Sequence, residues 1–128
     1  MWEELHLAAL IHKNQNHDPT AMPAMTALKL ATSMGAAAIG LGDVTGSLEV
    51  GKRADMIQID IATPSLTPMY NVISQLVYAV DSDDVVTSIV SGKALMRNGI
   101  VLTLDADEVR QKALNKAEEI SKALATQN

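Results

Sequence analysis

An α+β fold follows from three features of the sequence: helices first, then a small and mostly antiparallel sheet, then a terminal helix. Residues from Trp2 to about Asn14 carry apolar side chains at helical spacing. Gly46 to Asp60 switches to turn chemistry and then to alternation. Near the end, Asn98-Gly99 signals a tight hairpin and Asp105-x-x-Glu108 opens an amphipathic run.

Taken in order, Trp2, Leu5, Ala8 and Ala9 form one stripe of the first helix, and Leu7, Leu10 and Ile11 widen it round the cylinder. Such a surface suits a helix buried against several neighbours, and no cap precedes Trp2, so a preceding segment is expected to be missing. Asn14 to Pro19 reads as a loop, with Asp18 as an N-cap and Pro19 at the first helical position. A second helix is expected from about Pro23 to Met34, stopped by Gly35 in the left-handed conformation. Ala36-Ala37-Ala38-Ile39-Gly40 adds a short final turn, whose small residues allow backbone to approach backbone.

Gly46 and Gly51 bracket Ser47-Leu48-Glu49-Val50 as a tight turn into a strand. In that strand Ile57 and Ile59 share one face, with Met56, Gln58 and Asp60 on the other. Pro64 and Pro68 punctuate a loop. Val72, Ile73, Leu76, Val77 and Val80 have helical spacing, and Asp81-Ser82-Asp83-Asp84 ends that helix. Val85 to Val90 is rich in β-formers, Gly92-Lys93 turns the chain, and Ala94 to Met96 returns. Asn98-Gly99 is a type I′ signal before Ile100-Val101-Leu102. In the last helix Leu104 and Val109 are placed to form a hydrophobic staple, and Val109, Ala113, Ala117, Ile120 and Leu124 make one apolar stripe.

Composition narrows the function classes. The 128 residues are 48% apolar with no Phe, one Trp and two Tyr, so the core is built from Ala, Leu, Ile, Val and Met, and the seven methionines are expected to fill core gaps. A net charge of −5 without a Lys/Arg cluster argues against nucleic acid. The absence of cysteine excludes disulfides and thiolate metal sites. No apolar run reaches the ~18 residues of a membrane span, and the acidic start is unlike a signal peptide, so a cytoplasmic protein is expected.

Candidates for chemistry are few. His6 and His12 are six residues apart on a helix and so on different faces, and His17 lies in a polar loop. Glu3-x-x-His6 has the i, i+3 spacing of bundle metal sites but no second copy, and a surface or core histidine is favoured over a ligand at each position. Asp81, Asp83 and Asp84 lack the spacing, central Gly and terminal Glu of an EF-hand and read as a solvated turn. Gly40-Leu41-Gly42 is too small for a phosphate loop, and Gly51-Lys52-Arg53 is explained as a charged turn. Ser47, Ser65 and Ser74 have no His-Asp pair in evident reach, so none is proposed as a nucleophile.

Four stretches carry a resemblance. Gly46-Ser47-Leu48-Glu49-Val50-Gly51-Lys52-Arg53-Ala54-Asp55-Met56-Ile57 resembles the signature with which metal-dependent amidohydrolases leave their catalytic barrel for a small β-sandwich. Leu30-Ala31-Thr32-Ser33-Met34-Gly35-Ala36 is similar to an Ala-Thr-x-x-Gly-Ala segment of the 5-methylthioadenosine/S-adenosylhomocysteine deaminase and chlorohydrolase branch. Pro68-Met69-Tyr70-Asn71 with Ser74-Gln75-Leu76-Val77-Tyr78 resembles its Asn-x-x-Ser-His-Leu-Val-Tyr segment, except that Gln75 stands where relatives commonly carry His. Ile89-Val90-Ser91-Gly92-Lys93 resembles its Val-x-Gly-Lys hairpin. These stretches follow one another in the branch's order over most of the chain.

The resemblance implies the C-terminal helices of a (β/α)8 barrel, then part of the β-sandwich and a terminal helix. Residues 1–45 would be the barrel's end, 46–104 the junction and sandwich strands with an inserted helix at about 71–80, and 105–128 the terminal helix. Met1-Trp2-Glu3-Glu4 matches the end of a Leu-Asp-Met-x-Glu-Glu segment that follows the branch's last metal ligand, so the chain is expected to begin just past that ligand. The activity implied is hydrolytic deamination of an adenosine-like or related N-heterocyclic substrate. Zinc or another divalent metal is expected in a full-length relative. In this chain no metal ligand and no catalytic residue is expected, substrate-binding residues are left unassigned, and the 128 residues alone are expected to be inactive. The alternative is a non-catalytic structural or self-association module. Either way a homo-oligomer through exposed apolar helix or strand edges is expected, without nucleic acid or membrane.

Overall fold

A computed structural model describes residues 2–125 of the chain; Met1 of the opening motif and positions 126–128 of the expected terminal helix lie outside the described residues. The order is α1 (Trp2–Asn16), α2 (Ala24–Leu30), α3 (Ser33–Ala38), β1 (Met56–Ile59), α4 (Val72–Tyr78), β2 (Val85–Val90), β3 (Lys93–Arg97), β4 (Ile100–Val101) and α5 (Ala106–Ala125). Single turns of 3-10 helix at Pro64–Leu66 and Ser82–Asp84 flank α4. The α+β order of the sequence reading is the observed one.

The core lies where α1, α2 and α4 meet. Leu5 and Ala9, one turn apart on α1, close on Ala27 of α2 and Val77 of α4, with Met22, Leu28 and Tyr78 packed round them. Asn71 starts α4 by accepting the Ser74 N–H at 2.9 Å. Leu66 is buried in the loop before it, and the Gln75 amide donates to the Leu66 carbonyl at 3.2 Å. Of the methionines, Met22 packs on the core, whereas Met25 and Met34 are exposed.

Two expectations about the helices are corrected. Gly35 is not a terminator but lies within α3, and the chain turns earlier, at Ala31–Thr32. The turn explains the glycine: a Cβ on residue 35 would sit 2.5 Å from the Leu30 carbonyl oxygen, so only Gly lets α2 and α3 meet so closely. Thr32 seals the break by donating its hydroxyl to the Leu28 carbonyl at 2.7 Å. Second, no helix starts at Asp18-Pro19. Asp18 instead accepts from the backbone and hydroxyl of Thr20, at 2.8 and 2.7 Å, and closes a loop. The Lys13 ammonium ties that loop to α1 through the Ala21 and Met22 carbonyls, at 2.6 and 3.0 Å. The next helix begins only after Pro23.

The sheet is an antiparallel meander in the order β1-β2-β3-β4. Its last hairpin turns at Asn98-Gly99, with φ of +50° and +74°, as a type I′ turn requires. The alternation expected for β1 is not kept. A register shift between Gln58 and Ile59 breaks the pleat, leaving Ile57 exposed and Met56 and Ile59 half-buried. α5 is capped as expected, Asp105 accepting the N–H groups of Asp107 and Glu108 at 3.0 Å each. The helix buries none of its described residues, and the proposed staple pair, Leu104 and Val109, stands about half exposed.

Candidate functional site

A recess opens between the first turns of α1 and the end of α4. Trp2, Leu7 and Leu10 of α1 and Val80 make its apolar floor, and Glu3, His6 and Asp81 are its polar members. α1 contributes these residues because Leu5 and Ala9 are already committed to the core on another side of the helix. The His6 ring stands edge-on to Tyr78, with centroids 5.9 Å apart and planes at 85°, so it is held by packing on an aromatic. The Trp2 indole Nε1 is buried and has no hydrogen-bond partner among the described residues. The sequence had placed Trp2 on an apolar stripe. The recess itself has no local signal, because Val80 and Asp81 reach it only through tertiary packing.

The remaining candidates are drawn into local structure. Among the described residues, no three His, Cys, Asp or Glu side chains are grouped to hold a metal ion. His6, His12 and His17 are not brought together: His17 sits in the loop after α1 at φ +50°, and His6 packs on Tyr78. Asp81 and Asp84 cap each other across the 3-10 turn, the Asp81 N–H donating to Asp84 at 2.9 Å and the Ser82 N–H to Asp81 at 2.6 Å. Both carboxylates thus serve the local turn, Asp81 taking the Ser82 hydroxyl as well at 3.1 Å. Lys52 donates to Ser47 at 2.7 Å and pairs with Glu49 at 3.4 Å, so within the Gly51-Lys52-Arg53 turn the lysine charge is met locally. The Ser47 hydroxyl, which donates to Glu49, and that lysine hold the Glu49 carboxyl below its usual range. Gly40-Leu41-Gly42 leads out of α3, with a Cβ on Gly42 only 3.2 Å from Ala37 Cα. Ser65 shares a 3.0 Å hydrogen bond with Thr63, and Ser74 gives its N–H to Asn71.

One group the sequence reading missed organises the junction. Asp55 accepts the Ser91 N–H at 2.6 Å through one carboxylate oxygen and the Thr45 hydroxyl at 2.8 Å through the other. A 2.9 Å bond from the Gly92 N–H to the Ala54 carbonyl lies beside it. Those bonds, the Ser91 amide first and then the Thr45 hydroxyl, hold the Asp55 carboxyl below its ordinary range. Asp55 therefore ties the end of the helical part to the β2–β3 hairpin, across 36 residues of sequence.

Residues 1–95 match the model of the amidohydrolase family, about three-quarters of the chain. The chain belongs to the amidohydrolase family. It is similar to the 5'-deoxyadenosine deaminase of Methanosarcina acetivorans, 48% identical over 120 residues that cover 94% of this chain and 27% of that protein. It is also similar to the 5-methylthioadenosine/S-adenosylhomocysteine deaminase 1 of Syntrophus aciditrophicus, 40% identical over 97% of this chain and 28% of the relative. Among solved structures, a zinc-bound adenosine deaminase from Xanthomonas campestris superposes with a TM-score of 0.88 at 34% identity, covering 95% of this chain and 28% of that one. A zinc complex of atrazine chlorohydrolase from Arthrobacter aurescens shares the fold, with a TM-score of 0.78 at 24% identity over 90% of this chain and 26% of its own. The chain thus spans about a quarter of the length of the curated relatives it matches. Both solved relatives carry zinc, yet the residues described here do not fit one, because no ligand set converges.

Proposed function

We propose that this chain is the C-terminal part of a metal-dependent aminohydrolase that hydrolytically deaminates an adenosine-like or related N-heterocyclic substrate. α1 to α3 would be helices closing the catalytic barrel, β1 to β4 part of the small sandwich, and α5 the terminal helix. The metal and the reacting groups would come from polypeptide outside these residues, since His6, His12 and His17 stay apart and no catalytic group is assigned within the chain. The observation that carries this reading is the coverage. Two deaminases match over 94% and 97% of this chain while it fills only 27% and 28% of them. A cytoplasmic setting belongs to the same proposal, supported by the cysteine-free composition; no described helix is long and apolar enough to cross a membrane.

The test is direct. The purified 128-residue chain should bind no stoichiometric zinc by elemental analysis and release no ammonia from methylthioadenosine. About one tightly bound metal per chain, or turnover, would overturn the assignment of the chemistry to residues elsewhere.

A second reading, a non-catalytic module that self-associates, is favoured by one observation. α5 runs 20 residues without burying any of those described, its stripe of Val109, Ile120 and Leu124 is more than half exposed, and Ile100 of the short edge strand β4 is exposed as well. Sedimentation of the chain as a monodisperse, non-associating monomer would count against it.

A further inference from the structure

We infer that the recess at Trp2 is an interface: it takes an apolar polypeptide segment of the amidohydrolase fold that this chain does not contain, and a carbonyl oxygen of that segment accepts the Trp2 indole N–H. The inference rests on the functional reading above and adds the surface and the contact through which the two parts join.

Three observations carry it. The Trp2 Nε1 donor is buried without a partner among the described residues, and native proteins rarely leave such a donor unmatched, because its desolvation goes uncompensated. The floor beside it is apolar yet open: Leu7 and Leu10, neighbours at i, i+3, are 54% and 46% exposed. α1 is thus apolar on its core side and on the opposite side, the pattern of a helix covered all round. Finally, the relatives that match nearly all of this chain are about three and a half times as long, so their fold contains the polypeptide to cover it.

A second copy of the chain fits this face less well. Glu3 and Asp81 are among the recess residues, and a two-fold contact would gather the carboxylates of both copies into one interface, where like charges oppose association. A segment offering a backbone carbonyl and apolar side chains matches the donor and the floor without adding charge.

The experiment uses two proteins: the 128-residue chain, and a chimera in which it replaces the matching segment of the Methanosarcina acetivorans 5'-deoxyadenosine deaminase. Two substitutions are made in each. Trp2→Phe removes the N–H together with the pyrrole part of the indole; it should lower the thermal midpoint of the chimera, where the donor is matched and the ring enclosed, more than that of the 128-residue chain, where the donor is unmatched. Leu10→Asp should leave the chain's midpoint nearly unmoved and lower the chimera's by about 3–5 °C. The Trp2 indole N–H resonance, assigned by its loss in Trp2→Phe, should move downfield in the chimera. A folded, active chimera indifferent to both substitutions would overturn the interface and leave the functional reading standing. A folded chimera that does not deaminate 5'-deoxyadenosine would overturn the functional reading, while Leu10→Asp would still report on the interface. A chimera that does not fold would show that the face does not complement the rest of the relative. Dimerisation of the 128-residue chain that Leu10→Asp abolishes would assign the recess to a second copy and overturn the inference.

Discussion

Gly46 is the position where one added methyl group reports most directly on how the helical part meets the junction. A Cβ there would lie 2.7 Å from Ala36 Cβ and 3.0 Å from both Ser33 Cα and the Thr32 carbonyl oxygen, at a φ of +93°. Ala36 is 7% exposed, and Gly42 is packed against neighbouring Ala37, so α3 has little room to retreat. The left-handed backbone costs a side chain about 1–3 kcal/mol, and forcing an extra carbon into a filled space costs about 1–3 kcal/mol more. Gly51 supplies the control: its φ is +95°, but a Cβ there meets nothing within 4 Å. Gly51→Ala should therefore lose only the backbone contribution and Gly46→Ala both. Urea unfolding followed by far-UV circular dichroism measures the two, with an unchanged slope confirming that stability alone has moved. Equal losses in the two variants would refute the packing account of Gly46.

Asp55→Asn tests the link between Thr45, Asp55 and Ser91. The folded-state carboxyl is held below its unfolded value, so its contribution is present above the unfolded value of about 3.9 and is lost as pH falls through the lower folded value. The variant should be less stable at neutral pH and show a shallower loss of stability on acidification; thermal midpoints between neutral and acidic pH measure both, and parallel curves would sink the idea. Asp105→Ala removes the cap of α5, worth about 1 kcal/mol to that helix. Because α5 buries none of its described residues, the helical signal should fall and amide exchange in its first turn should quicken while the urea midpoint barely moves. A large midpoint shift would show that α5 is coupled to the core after all.

What the sequence made legible was local. The Asn98-Gly99 hairpin, the Asp105 cap and the helical runs of α1 and α4 are written in residues within a few positions of one another, and each appears where expected. The misreadings share a cause in tertiary contact. Gly35 looks like a terminator until the Leu30 carbonyl is seen against it. Asp18-Pro19 has a helix-start pattern, but Asp18 is used by Thr20, and Lys13 holds the following loop in another path. The Asp55 bridge and the Trp2 recess join residues far apart in the chain, and no local pattern announces either.

The contrast between α1 and α5 shows which surfaces demand a partner. α5 carries its own solvent face: Glu108–Lys112 at 2.6 Å and Lys116–Glu119 at 2.7 Å lie along it, all well exposed. Such pairs add little stability, but they mark a side that is content in water, so burial can be asked of the opposite stripe alone. α1 has no comparable side along its middle. Leu5 and Ala9 enter the core, Leu7, Leu10 and Ile11 remain about half exposed, and the Trp2 donor is buried without an acceptor among the described residues. A 15-residue helix of this kind would be poorly soluble and poorly held if water were its lasting neighbour. Under the proposed function, α1 would face the inside of a larger fold and α5 its periphery. That is the arrangement expected if the deaminating chemistry sits beyond α1, on polypeptide that the match to the longer relatives leaves unspanned.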